Sequence, residues 1–109
     1  MNENIRTIDG ADIRDFDSFH EAFKQALGFP EFYGSNMDAW IDCMGDIHDD
    51  TAMSNVLLKA DRPLNLAILN TKIFSQTCPD VLVALIECTA FVNDERLQNQ
   101  APIQLTFYQ

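Results

Sequence analysis

Pro30-Glu31-Phe32-Tyr33-Gly34-Ser35-Asn36-Met37-Asp38-Ala39-Trp40-Ile41-Asp42-Cys43-Met44-Gly45-Asp46 is the stretch on which the fold of this chain turns. A short loop carrying Tyr33 and Gly34 leads into a helix expected to begin near Ser35 or Asn36 and to run to about Ile47. Asp38, Asp42 and Asp46 recur every fourth residue. At about 100° per residue that spacing gathers three carboxylates into an arc of roughly 80°. Met37, Trp40, Met44 and Ile47 fall on the opposite side, which is the side expected to pack on a core.

Such a stripe works against its own helix. Like charges at i and i+4 cost roughly 0.2–0.5 kcal/mol per pair, and Asp46 would sit in the last turn, where the macrodipole disfavours an anion. No Lys or Arg lies between Lys24 and Lys59 to offset it. Two readings stand: a solvated polar face that happens to use Asp, or a local rule broken for the sake of function.

Toward the N-terminus, Asn4–Ile8 reads as a short strand ended by the turn signal Asp9-Gly10. Ser18 and Glu21 fit a capping box. Phe19, Phe23, Ala26 and Leu27 follow at helical spacing, so a helix is expected over 17–27, stopped at Gly28. His20 has no second ligand at metal spacing and is assigned to the helix surface. Toward the C-terminus, His48-Asp49-Asp50 suggests either a metal site beside Asp46 or a polar helix end; the alternating oxygen ligands of a calcium loop are missing. Residues 51–55 read as a loop, and Val56-Leu57-Leu58 is a short apolar run broken by Asp61-Arg62-Pro63. Leu64–Leu69 is apolar enough for a buried strand, and Ile73-Phe74 suggests a short helical turn. Pro79 suits the first position of a helix. Residues 81–92 are apolar nearly all round, the pattern of a deeply packed helix, running on toward Leu97 or Gln98. Its one charge, Glu87, is expected at an exposed edge or against a partner. After Pro102, Ile103, Leu105 and Phe107 alternate with polar residues as a last strand. Strands separated by helices imply an α/β fold: a small three-stranded parallel sheet with right-handed crossovers, packed by three to four helices, in one domain over 1–109.

The chain's 109 residues suffice for one core. Seventeen Asp and Glu against seven Lys and Arg give a net charge of −10. Nucleic acid and anionic membrane are poor partners for that surface, and a basic protein is a good one. The chain shows no spanning apolar run and no signal-peptide pattern, so a cytoplasmic protein is expected. Cys43, Cys78 and Cys88 match no metal or redox spacing and are expected as reduced thiols. No metal and no cofactor is expected.

The run Leu27-Gly28-Phe29-Pro30-Glu31-Phe32-Tyr33-Gly34-Ser35-Asn36-Met37-Asp38-Ala39, followed by Asp42-Cys43, resembles the barstar family, the intracellular inhibitors of barnase-type ribonucleases. The resemblance implies a three-stranded parallel sheet packed by helices. It further implies that the acidic helix and its preceding loop plug a nuclease active site. Asp42 matches the aspartate that occupies the phosphate pocket, and Asp38 a second contacting aspartate. Gly34 and Asn36 match contacts of the binding loop. Phe32 stands where prominent members carry a tyrosine that packs on the enzyme's catalytic histidine, and keeps the ring without the hydroxyl. Ile41 replaces a tryptophan, and Glu87 aligns with a late-helix glutamate. With Tyr33 in the loop and Asp46 ending the stripe, these residues form the expected partner-binding set. The expected partner is a basic extracellular-type ribonuclease; the alternative is an immunity or interaction domain for a different basic toxin.

An enzyme reading makes Asp38 and Asp42 a general acid–base pair assisted by Tyr33. Against it, the chain supplies no nucleophile with its base, no phosphate-cradling glycine loop and no metal constellation. Carboxylates at i and i+4 also stand on a convex surface, whereas catalysis favours a cleft. The expectation is a binding protein.

Overall fold

The computed structural model describes residues 4–48 and 63–109. In chain order these form β1 (Asn4–Asp9), a 3-10 turn (Gly10–Asp12), α1 (Phe16–Leu27), α2 (Met37–Gly45), β2 (Leu64–Leu69), α3 (Thr71–Thr77), α4 (Pro79–Phe91) continued by a π-helical turn (Val92–Arg96), and β3 (Ile103–Phe107). The expected elements at 51–58 lie outside the described residues.

The sheet is three-stranded and parallel, in the order β1-β2-β3. Ile8 pairs with Ile68, and Leu64 with Ile103. Leu64, Leu66 and Ile68 are buried on the central strand. Ile103, Leu105 and Phe107 share that face through the register, but burial fades along β3: Ile103 is buried, Leu105 half-buried and Phe107 exposed. Ile5 and Ile8 are three residues apart and so point to opposite faces; only Ile8 enters the core.

The strand ends at Asp9 because its carboxylate accepts from the Ala11 amide and from Asn70 Nδ2. Those bonds hold the Asp9 carboxyl below its ordinary range, the Asn70 contact most strongly. Gly10 then passes so close to the end of β2 that a Cβ there would stand 2.7 Å from the Leu69 carbonyl oxygen and 2.8 Å from Phe74 Cβ.

α1 buries Phe19, Phe23 and Leu27 against the sheet and Trp40 of α2. Its cap lies three residues earlier than the Ser18–Glu21 pattern suggests. Asp15 is the N-cap and accepts from the Ser18 amide, while Ser18 Oγ accepts from the Asp15 amide. Glu21 instead accepts from Gln25. Gly28 ends the helix in the left-handed region at φ 66°, a conformation that costs glycine little.

α4 differs from the deeply packed helix expected. Val81, Leu85 and Thr89 are buried, while Val83, Ile86 and Phe91 are 50, 44 and 46% exposed. Pro79 takes its first turn, where a missing N–H costs nothing. No single helix among the described residues is long and apolar enough to cross a membrane; α3 and the α4 segment meet that test only together, across a bend of 113°. Cys43 and Cys78 are buried, Cys88 is half-buried, and all three are free thiols.

Candidate functional site

The loop between α1 and α2 is built by alternation. Phe29 is buried, Phe32 is 76% exposed, and Tyr33 is 8% exposed. Tyr33 is pinned at three points: its amide donates to the Pro30 carbonyl at 3.0 Å, its ring packs on Phe29 at 4.8 Å, and its hydroxyl lies 2.6 Å from His20 Nδ1. Anchoring Tyr33 inward leaves the neighbouring Phe32 ring outward. Tyr33 therefore stands inside the core, as the fixed point of the loop, and not on the surface a partner would meet.

His20 is 2% exposed, which corrects its assignment to the helix surface. It lies between Phe16, Phe19 and Tyr33. Desolvation lowers its pKa, partly opposed by Asp17, and burial raises that of the Tyr33 phenol. Both shifts favour a neutral phenol and a neutral imidazole, joined by a hydrogen bond whose direction follows the imidazole tautomer. The sequence signal that could have placed it inside is a wider apolar stripe, with Phe16 four residues before His20 and Phe19 beside it.

Gly34 and Ser35 turn the chain into α2. Ser35 holds φ at 54°, the left-handed region uncommon for residues with a Cβ. Asn36 is the N-cap: its Oδ1 accepts from the Ala39 amide at 2.8 Å, and its Nδ2 donates to the Gly34 carbonyl at 3.4 Å. One side chain thus starts the helix and fixes the loop before it.

α2 buries Trp40, Cys43 and Met44 and turns Asp38 and Asp42 to solvent, with Ile41 half-buried at the border. The helix ends at Gly45, two residues short of the expected Ile47, so Asp46 is the C-cap at φ −101° and half-buried. The carboxylate stripe is therefore two helical residues plus a cap. Its field reaches inward: burial pushes the Cys43 thiol up to about 11, with Asp42 and Asp46 adding to it. Cys88 on α4 is likewise raised, by burial first, then by Glu87 and Asp38. Glu87 of α4 and Asp38 of α2 are both exposed, on helices that pack on each other. Phe32, Gly34, Asn36, Asp38, Asp42 and Glu87 are each exposed, on the loop, α2 and α4.

The compensation missing from the local sequence arrives through the fold. Arg96 Nη1 donates to Asp42 Oδ1 at 3.2 Å. Sequence reasoning had no signal for that cation, which lies 54 residues away. His48 Nε2 lies 2.9 Å from the Ala101 carbonyl oxygen, tying the chain after α2 to the approach to β3; Asp49 and Asp50 lie outside the described residues. Among the described residues no three His, Cys, Asp or Glu side chains converge as metal ligands do.

A family model described as Barstar (barnase inhibitor) matches residues 3–107. Among curated proteins, the chain is 32% identical over 93 residues to the "Putative ribonuclease inhibitor YrdF" of Bacillus subtilis (strain 168), a match covering 81% of this chain and 88% of that protein.

Proposed function

The chain belongs to the barstar family, and from that premise we propose that it is an inhibitor of a basic, barnase-like ribonuclease, acting in the cytoplasm and catalysing nothing itself. Asp42 and Asp38, with the loop residues Phe32, Gly34 and Asn36, occupy the enzyme's active site, and Ile41, Asp46 and Glu87 extend the contact. A nuclease gathers cations to stabilise a phosphorane-like transition state. Carboxylates on a rigid helix meet those cations in place of phosphate, through charge-assisted hydrogen bonds.

The observation that carries this reading is the exposure of an acidic helix whose lead-in loop is fixed from within by Tyr33 and Asn36. A preset contact surface loses little freedom on binding. The net charge of −10 favours a basic partner.

The test is titration of the purified protein into barnase and a panel of related basic ribonucleases, with RNA hydrolysis as readout. Stoichiometric loss of hydrolysis that Asp42→Ala abolishes is the expected result. Full hydrolysis by every enzyme in the presence of excess protein would end the ribonuclease reading and leave the alternative of a different basic toxin.

A further inference from the structure

Arg96 closes the π-helical turn Val92–Arg96, an element that packs directly on α2. Its stem crosses Gly45, where an added Cβ would stand 3.1 Å from both Arg96 Cβ and Arg96 Cγ. The bare backbone at Gly45 leaves room for the Arg96 stem beside the end of α2, from where its Nη1 reaches Asp42. Asp38 and Glu87, exposed carboxylates of α2 and α4, make no ion pair among the described residues. The chain thus supplies its own cation to the carboxylate aligned with phosphate mimicry.

We infer that Arg96 is an internal competitor for Asp42, a built-in guanidinium that a partner's cation must displace, lowering affinity for basic partners and restricting which of them bind. The inference rests on the ribonuclease-inhibitor reading given above. The pair is a single-point contact with side chains 41 and 56% exposed, so it opens readily. A cationic cleft closing over Asp42 also brings like charge against Arg96, which penalises association until the side chain swings out. A partner that sets an anionic group beside the cation meant for Asp42 escapes that penalty. Arg96 is in this sense a specificity-determining residue within the contact face.

The experiment compares wild type, Arg96→Gln and Lys72→Gln for association with barnase at low ionic strength. Lys72 is an exposed lysine of α3, a helix packed on the 3-10 turn and α4; its loss changes net charge equally. The expected result is binding about three- to tenfold tighter for Arg96→Gln, with faster association and a much smaller change for Lys72→Gln. In the free protein, Asp42→Asn should also move the Arg96 side-chain N–H resonances. Arg96→Gln binding that is weaker than wild type, or no tighter than Lys72→Gln, overturns the inference while leaving the inhibitor reading intact. Unmoved Arg96 resonances do the same. Absence of binding by all three proteins, to barnase and to every ribonuclease of the panel above, removes both.

Discussion

The Tyr33 hydroxyl lies 2.6 Å from Nδ1 of His20, and both residues are inside the core. One hydrogen bond therefore joins the middle of α1 to the loop that presents Phe32. Tyr33→Phe keeps the ring but leaves a buried imidazole nitrogen without its hydrogen-bond partner. The expected cost is about 1–3 kcal/mol of stability, read from urea unfolding at neutral pH. Association with the partner should also weaken, because the loop loses its anchor. Unchanged stability would remove this bond from the account of the loop.

The same pair makes stability depend on pH. Burial lowers the His20 pKa below its ordinary 6.5, so the unfolded chain takes up the proton first. Stability is full above about 6.5 and falls as pH drops from there through the folded-state pKa, with a slope of at most about 1.4 kcal/mol per pH unit. The lowered carboxyls of Asp9 and Asp15 act in a separate window: their contribution is present above 3.8 and is lost as pH falls below that value. Unfolding midpoints measured from pH 7.5 to 5 should decline in the wild type and stay flatter in His20→Gln.

Asp42→Ala should weaken partner binding by about 2–5 kcal/mol, a magnitude transferred from buried charge pairs that include the barnase–barstar complex itself. Asp80→Ala, in the exposed first turn of α4, should change it little. Equal small effects from both, measured by calorimetry, would take α2 out of the interface. Association should also slow as salt rises past about 0.1 M, where the screening length is about 10 Å.

Asn36 holds both ends of the approach to α2. Asn36→Ala should cost about 0.5–2 kcal/mol through loss of the cap, and Asn36→Asp should recover most of it. A circular-dichroism melt of the three proteins checks the ordering.

Ser35 occupies the left-handed region in an exposed position. Ser35→Gly should hold or raise stability, by up to about 1 kcal/mol, whereas Ser35→Val should lower it by about 1–2 kcal/mol. Denaturant midpoints of the two variants should move in opposite directions or leave glycine level with serine.

Much of this architecture is legible in the sequence. Period-two strands, a glycine stop after α1 and a proline start to α4 are local signals, and each fixes its element without reference to the rest. The outward direction of Asp38 and Asp42 is equally local, since Trp40 and Met44 must turn inward. What depends on distant contacts is not legible. The cation on Asp42 comes from Arg96, so nothing near α2 announces it. α4 is apolar on nearly every side, and periodicity cannot say which side meets the core; only the packing against α3 and α2 leaves Val83, Ile86 and Phe91 outward. The α1 cap was misplaced because Ser18 suits both roles of a capping box, and Asp15 takes the earlier one. His20 was set on the surface because a polar ring is expected there, whereas Tyr33 supplies the partner that makes its burial affordable.

The sheet has a kinetic consequence. Every strand in it runs the same way, so each ladder joins distant parts of the chain, Ile8 to Ile68 and Leu64 to Ile103. Closing such long loops loses chain entropy before any ladder bond repays it. Helices α1 and α2, each with a side-chain N-cap, need no such long closure, so strand pairing is the step expected to limit the folding rate.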